Sequence, residues 1–420
     1  MMKARRLRDH LRQKKDSPLA RIIVLTGARQ TGKTTLARRC FPDYTYLSIE
    51  DPVMRLRYKE LTAAQWKELY PRAILDEVQK EPALIESIKS AYDQYEDLRY
   101  LLLGSSQLLL LHKVKESLAG RCIIREVWPL TLPEMLTKSW EDTIQDSFFE
   151  QILKHKKVAA YLPAFELYPD FAERQKTFEY YLQFGAYPAL VSPALSDEER
   201  YEWLGNYIAT YLERDVRDLA DFRLLDPFIK LQKLTALLTG QLINFAKLAN
   251  ETDVSAKTAA RFLQYLELSY QIITLPPWHK NKTKRLVKKS KLHYLDIGVQ
   301  RGILQKRGAL TGHEWESAVV AELYKQIKSN HIPAGCYHLR SHDGFEIDML
   351  VELEEGFFAF ECKQTKRIQR KDILHLLRLP DILDKPLLAS FVLSQDPEIK
   401  EMEKDIYAMP AAMFLTSQTK

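Results

Sequence analysis

Nine consecutive residues, Gly27-Ala28-Arg29-Gln30-Thr31-Gly32-Lys33-Thr34-Thr35, satisfy every fixed position of the phosphate-loop pattern G-x-x-x-x-G-K-[ST]. Gly27 and Gly32 allow a tight turn, so that the backbone N–H groups of the loop can face phosphate oxygens. Lys33 supplies a charge that would reach the β- and γ-phosphates, and the Thr34 hydroxyl is a ligand type for Mg²⁺. About 45 residues further on, Ala73-Ile74-Leu75-Asp76-Glu77 is an apolar run ending in two carboxylates. In that order Asp76 would hold Mg²⁺ through water and Glu77 would polarise an attacking water as general base. The two sets together suit ATP and Mg²⁺ as cofactors and hydrolysis as the reaction. The bland alternatives are a glycine-rich turn and a solvated strand end.

Two further groups belong to the same chemistry. Leu101-Leu102-Leu103-Gly104-Ser105-Ser106 reads as a buried strand whose tip, Ser105 or Ser106, would sense a γ-phosphate by hydrogen bonding. The alternative there is a plain turn of small residues. Ser117-Leu118-Ala119-Gly120-Arg121 brings Arg121, which would contact phosphate in its own subunit or a neighbouring one, or else form a surface salt bridge.

A separate constellation lies near the C-terminus. Asp348 sits in one apolar run, and Glu361-Cys362-Lys363 follows in the next. Glu361 and Lys363 are two apart and share one face of a strand. Asp348 and Glu361, with Glu316 from the preceding helix, form an oxygen set suited to Mg²⁺, and Lys363 could orient or deprotonate a metal-bound water. An exposed hairpin with a salt bridge is the simpler alternative.

The elements that must position these residues follow from periodicity. Short β-branched runs at 22–25, 44–49, 73–76, 100–105 and 122–127 alternate with helical patterns such as 82–95. Such alternation implies an α/β fold with a parallel sheet covered by helices, and ligands at the carboxyl ends of its strands. From about 145 the chain becomes helical, with Gly185-Ala186-Tyr187-Pro188 as punctuation and a long helical pattern over 201–219. Helices over 228–238, 244–252 and 255–270, then strands at 271–275 and 291–295, give three helices and a hairpin, the pattern of a winged helix-turn-helix. After about 308 a smaller α/β pattern returns, with helices at 313–329 and 371–379 and strands at 346–352, 356–362 and 387–393. The domains are therefore read as 1–145, 146–307 with the winged element over about 228–300, and 308–420.

Charge is uneven. The chain carries a net charge of +6, yet His279 to Lys291 holds seven Lys or Arg and no acid, which leaves about −1 for the remainder. The concentration points to a local anionic partner. Lys280, Lys282, Lys284, Arg285, Lys288 and Lys289 would line a wing along a DNA backbone, and Lys257, Thr258 and Arg261 would lie on one face of a recognition helix. A protein-docking hairpin or a solvated tip is the alternative.

The phosphate loop, Leu75-Asp76-Glu77-Val78-Gln79, Gly104-Ser105-Ser106, Leu118-Ala119-Gly120-Arg121, Gly185-Ala186-Tyr187-Pro188 and Tyr211-Leu212-Glu213-Arg214-Asp215-Val216 occur in that order. The set resembles the prokaryotic AAA+ ATPases that carry a C-terminal domain of unknown function. Two departures are Gly185-Ala186, where that family usually has two glycines, and Gln107, where a further serine is common; neither touches the nucleotide residues. The resemblance implies ATP binding. Asp348 and Glu361-Cys362-Lys363 resemble the motif of the PD-(D/E)xK nuclease fold, with Ile347-Asp348 in place of its proline-aspartate, and imply a nuclease-like C-terminal domain.

Composition bounds these readings. At 46% hydrophobic and 28% charged residues, the 420-residue chain can bury more than one core, which excludes a disordered class. No apolar run approaches the roughly 20 residues that span a bilayer. The basic segment 1–15 lacks the apolar stretch of a secretory signal and reads as a helix ahead of the first strand. Cys40, Cys122, Cys336 and Cys362 are far apart, which argues against a zinc site and for a reducing, cytoplasmic setting. Two functions fit: an ATP-dependent DNA-processing protein, or a nucleotide switch acting on a protein partner through an inactive C-terminal docking domain. Either could operate as an oligomer.

Overall fold

A computed structural model describes residues 2–104, 114, 116–158, 160–162, 170–212, 225–281, 283, 285, 289–341 and 344–417. The chain divides into two compact units, one formed by Ala4–Pro129 with Leu268–Tyr270, the other by Met1–Lys3, Leu130–Glu267 and Gln271–Lys420.

The first unit is built on five parallel strands: β1 (Ile22–Thr26), β2 (Thr45–Ser48), β3 (Arg72–Asp76), β4 (Arg99–Leu103) and β5 (Cys122–Glu126), in spatial order β2-β3-β4-β1-β5. Every pairing is parallel, so all five carboxyl ends share one edge of the sheet. Strand β1 is buried along its whole length, and β3 and β4 are buried from their second residue onward, as apolar runs covered on both faces require. Ile22, Val24, Leu75 and Leu102 pack against Trp66, Leu84 and Ile88 from the helices Ala63–Leu69 and Ala83–Gln94. The basic N-terminal segment forms the helix Arg6–Lys14.

The second unit opens with the helices Leu132–Leu136, Phe148–His155, Phe171–Phe184 and Asp197–Tyr207. The helical run continues to Leu212; the motif residues Glu213 to Val216 lie outside the described residues. Helices Leu225–Leu237, Phe245–Thr252 and Ala256–Leu268 follow, with β7 (Ile272–Leu275) and β8 (Lys291–Tyr294). A two-residue strand, β6 (Gln241–Leu242), completes an antiparallel sheet in the order β6-β8-β7. It is too short to leave a periodic signal.

The last part of this unit centres on the helix Gly312–Ser329. Trp315, Val319, Val320, Leu323 and Ile327 recur at helical spacing and are fully buried. They pack on Phe358, Phe360, Phe391 and Phe414. The six-stranded sheet below runs β13 (Lys400–Glu403), β14 (Ile406–Pro410), β12 (Leu387–Ser394), β11 (Phe357–Lys363), β10 (Glu346–Glu352), β9 (Gly335–Arg340). Strand β11 pairs parallel with β12 and antiparallel with β10. The helix expected over 371–379 is broken into a 3-10 turn, Arg370–Ile373, one turn of helix, Leu374–Leu377, and a second 3-10 turn, Leu379–Asp381.

Gly185-Ala186 has a structural explanation. The Asp296 carboxylate is buried and accepts hydrogen bonds from Ala186 N at 2.7 Å and Val299 N at 3.1 Å, the latter capping the helix Ile297–Ile303. Gly185 has φ +77°, and a Cβ there would lie 2.0 Å from the Asp296 carboxylate. A Cβ on Gly298 would lie 1.9 Å from the Phe184 carbonyl oxygen. Replacing Asp296 by Ala leaves two buried N–H groups without their acceptor and should cost about 2–4 kcal/mol. Gly298→Ala should also destabilise this unit. Denaturant melts followed by Trp fluorescence check both, and wild-type midpoints would refute the clasp.

Candidate functional site

At the carboxyl edge of the first unit's sheet, the chain leaves β1 at Thr26 and turns through the phosphate loop into the helix Lys33–Cys40. Gly27 has φ +146° and Gly32 φ +89°, and a Cβ on Gly27 would lie 2.2 Å from the Val127 carbonyl oxygen. The glycine is needed for contact with the chain after β5. Gln30, a non-glycine residue, also takes a left-handed φ of +63°. Thr31 Oγ1 donates to Ala28 O at 2.8 Å and closes the turn. Lys33 Nζ donates to the carbonyls of Gly27 and Ala28 at 2.9 and 2.7 Å, so its ammonium is held inside the loop.

The second carboxylate set meets the first there. Thr34 Oγ1 donates to Asp76 Oδ2 at 2.7 Å, which brings a hydroxyl and a carboxylate together from β3 and the helix after β1. Strand β4 lies between β1 and β3, and a small side chain from the loop helix bridges the gap. Glu77 follows in a left-handed conformation, φ +59°, and Gln79 Nε2 donates to its Oε2 at 2.6 Å. Non-glycine residues hold such conformations at a cost and cluster at functional sites. Ser105 and Ser106 lie outside the described residues. The donor set fits a divalent cation arriving with a nucleoside triphosphate: one hydroxyl, one carboxylate and a loop of backbone N–H groups at a helix N-terminus.

Arg121 is not brought to this cradle. It precedes β5, whose first residue pairs with the first residue of β1, and therefore lies at the amino edge. The five-residue strand separates it from the loop by about 16 Å at 3.3 Å per residue. Its guanidinium pairs with Asp93 at 2.8 Å.

In the second unit, Asp348 on β10 and Glu361 on β11 do converge with Glu316 from the helix Gly312–Ser329, but an ammonium stands among them. Lys291 Nζ, on β8, lies 2.7 Å from Glu316 Oε1, 2.8 Å from Glu346 Oε1 and 3.0 Å from Asp348 Oδ1. The lysine is 2% exposed. Burial alone would lower its pKa; Asp348, Glu316 and Glu346 outweigh it and push the pKa up, so the group stays charged. Asp348 Oδ2 accepts from Cys362 N at 2.9 Å. Lys363 pairs with Glu361, at 2.9 Å. Burial and the neighbouring Asp348 charge raise the Glu361 pKa well above that of a free carboxyl, and the same two causes raise that of Glu316. Among the described residues, no group of three or more His, Cys, Asp or Glu side chains is arranged to hold a metal ion. Of the expected Mg²⁺ set, Asp348 and Glu316 are thus met by Lys291, an ammonium of the basic run, and Glu361 by Lys363.

That run is also less available than its composition suggests. Arg285 is 8% exposed, pairs with Glu352 at 2.8 Å and stacks against Trp278 and Tyr337. Lys280 and Lys289 are exposed; Lys282, Lys284 and Lys288 lie outside the described residues. On the helix Ala256–Leu268, Lys257 and Arg261 are exposed, while Thr258 is half-buried and shares the N-cap of Ser255, whose Oγ accepts from Thr258 N at 3.1 Å.

Residues 19–136 match the family described as an AAA domain. Over these residues the first unit is similar to AAA-type ATPase domains. Residues 175–308 and 311–414 match two domains of unknown function, DUF8612 and DUF4143. An uncharacterized protein of Mycobacterium tuberculosis is 28% identical over 360 residues, covering 82% of this chain and 71% of its own. An uncharacterized protein of Methanocaldococcus jannaschii is 28% identical over 320 residues, covering 69% and 63%. Among solved structures, the Walker-type ATPase of Pyrococcus abyssi aligns over 72% of this chain and 98% of its own, at 15% identity and a TM-score of 0.45. No helix among the described residues is long and apolar enough to cross a membrane.

Two residues of the ATPase domain escaped the sequence reading. Arg5 is buried and donates to Thr31 O at 3.3 Å, supporting the loop from the N-terminal segment. Tyr46 OH donates to Asp76 Oδ2 at 2.8 Å, and its pKa is raised by burial and by that carboxylate. Neither has a motif; a tyrosine on an edge strand gives no signal. Outer-shell partners of metal-ligating carboxylates are commonly worth about 10–100-fold in metal affinity. Tyr46→Phe should therefore raise the Mg²⁺ concentration for half-maximal ATP turnover by about tenfold while leaving the melting curve nearly unchanged. A Mg²⁺ titration at fixed ATP checks it.

Proposed function

We propose that the protein binds ATP with Mg²⁺ at the phosphate loop, hydrolyses it, and couples that cycle to DNA binding by the helix-and-hairpin region of the second unit. The observation that supports this best is the bond from Thr34 to Asp76, which joins the two motifs at one sheet edge beside Glu77. Residues Gly27 to Thr35 cradle the phosphates with backbone N–H groups, and Lys33 exchanges its two loop carbonyls for phosphate oxygens. Thr34 and Asp76 would hold a Mg²⁺ ion, which when bound would supply charge neutralisation at the phosphates. Glu77 takes the proton of the attacking water, and Gln79 orients the Glu77 carboxylate.

For DNA, the reading rests on exposed Lys257, Arg261, Lys280 and Lys289, and on three helices with β6 after the first and β7 and β8 after the third, paired in one antiparallel sheet as in a winged helix. Arg285 is excluded from the contact set by its pairing with Glu352. A cytoplasmic setting agrees with a nucleotide-dependent cycle.

Lys33→Ala should abolish tight ATP binding, and Glu77→Gln should bind ATP but turn it over at least 100-fold more slowly, the usual scale for a general base. Calorimetry and a phosphate-release assay read the two. Unchanged turnover in Glu77→Gln would reject its role, and equal affinity in Lys33→Ala would reject the loop.

Replacing Lys257, Arg261 and Lys280 with Gln should weaken duplex binding and flatten its salt slope by about 0.9 for each phosphate contact removed. Fluorescence anisotropy across a salt series measures this. ATP turnover with no duplex affinity at low salt would instead favour a nucleotide switch acting on a protein partner.

A further inference from the structure

The carboxylates of the C-terminal domain resemble a metal site in residue type, yet their geometry is that of an ammonium site. An –NH₃⁺ group has three donors, and Lys291 has three carboxylates at 2.7, 2.8 and 3.0 Å, one from the helix Gly312–Ser329 and two from β10. The opposite oxygens face other donors. Glu316 Oε2 lies 3.7 Å from His313 Nδ1, Glu346 Oε2 lies 3.5 Å from Arg340 Nη1, and Asp348 Oδ2 holds Cys362 N. Glu361 has its own cation in Lys363, with His375 Nδ1 at 3.9 Å from its other oxygen. A divalent ion here would have to displace a lysine or come within a few ångströms of its charge.

The lysine is also anchored as a strand residue. Its β8 neighbours Leu292 and Tyr294 are buried, and Tyr294 N donates to Ser317 Oγ at 3.2 Å, which fixes the strand against the same helix that carries Glu316. His293, two residues along from Lys291, is fully buried, and burial together with the Lys291 charge depresses its pKa, so it stays neutral and adds no competing cation. The ammonium is delivered by the backbone of β8 rather than by a mobile loop.

We infer that Lys291 is the resident cation of this centre: it takes the place a divalent metal would occupy, and clamps the three-stranded sheet to the C-terminal sheet by charge. The domain then keeps the carboxylate-lysine spacing of a phosphodiester-cleaving site as an ion-pair clamp that takes up no divalent metal.

The test uses the full chain without nucleotide. Mn²⁺ calorimetry should give superimposable isotherms for wild type and Asp348→Asn, because no metal is bound by Asp348. Lys291→Met should lower the melting temperature of its unit by on the order of 10 °C, since breaking a buried pair leaves charges uncompensated. Adding Asp348→Asn to Lys291→Met should recover at least a third of that loss by removing one orphaned charge, an effect that a packing role for the lysine would not give. Mn²⁺ binding by wild type that Asp348→Asn abolishes would overturn the inference. So would a double variant that melts no higher than Lys291→Met. If Lys291→Met alone does not fold, a folded double variant supports the clamp and an unfolded one rejects it.

Discussion

Charge that is taken out of water must be answered inside the protein, and the architecture of both units depends on how that is done. An unpaired buried ion costs several kcal/mol, more than most single contacts return. Along the helix Gly312–Ser329 the answers come in pairs. Glu322 and Lys325 are both fully buried, 2.7 Å apart. Glu322 accepts from Leu132 N and Lys325 donates to Leu130 O, so the pair fixes the segment that enters the helix Leu132–Leu136. One turn and a half earlier Glu316 meets Lys291. At the C-terminus, buried Arg174 donates to the carbonyls of Met413 and Thr416 and satisfies acceptors left over at the end of the helix Ala411–Leu415. Asp296 is answered by backbone N–H groups alone, without a cation in hydrogen-bond contact, and burial raises its pKa. In the ATPase domain, Asp76 is answered by hydroxyls, from Thr34 and Tyr46. Hydroxyls leave the negative charge in place for a cation to use, whereas an ammonium consumes it. That difference separates a carboxylate that can serve a nucleotide from carboxylates that hold a structure together.

The parallel sheet was legible because β1, β3 and β4 carry buried apolar runs, and because the loop between β1 and the helix Lys33–Cys40 has a fixed chemical pattern. Its strand order was not. Nothing in the chain says that β4 inserts between β1 and β3; only the packing shows that Thr34 must reach across to Asp76. Two of the strands missed in the second unit, β6 and β13, have one cause in common. β6 has two residues, and β13 is Lys-Glu-Met-Glu, polar enough to read as a loop until β14 supplies its hydrogen-bond partner. Their strand character comes from a neighbour rather than from their own periodicity. Arg121 forms the surface salt bridge that was one of its two readings, with Asp93 at 2.8 Å. A basic residue shortly after a glycine suggested phosphate, but in a parallel sheet the residue before a strand and the residue after it lie at opposite edges.

The basic run shows how composition misleads where spacing does not. Seven cations in thirteen residues suggested one surface, but a hairpin distributes side chains by alternation and by what each meets. Arg285 meets Glu352 and two aromatic rings, and Lys291 meets three carboxylates; both are neutralised inside the fold. The local excess of positive charge is therefore partly a set of internal counter-ions for acids that lie 25 to 67 residues further along the chain. Reading the acids alone suggested a missing metal, and reading the bases alone suggested a missing polyanion. For Arg285 and Lys291, and for the acids Glu352, Glu316, Glu346 and Asp348, the counter-charge is supplied by the chain itself. Charge balance within a unit has to be closed before an unmatched residue is assigned an external ligand. In the ATPase domain, Asp76 retains its charge after that accounting.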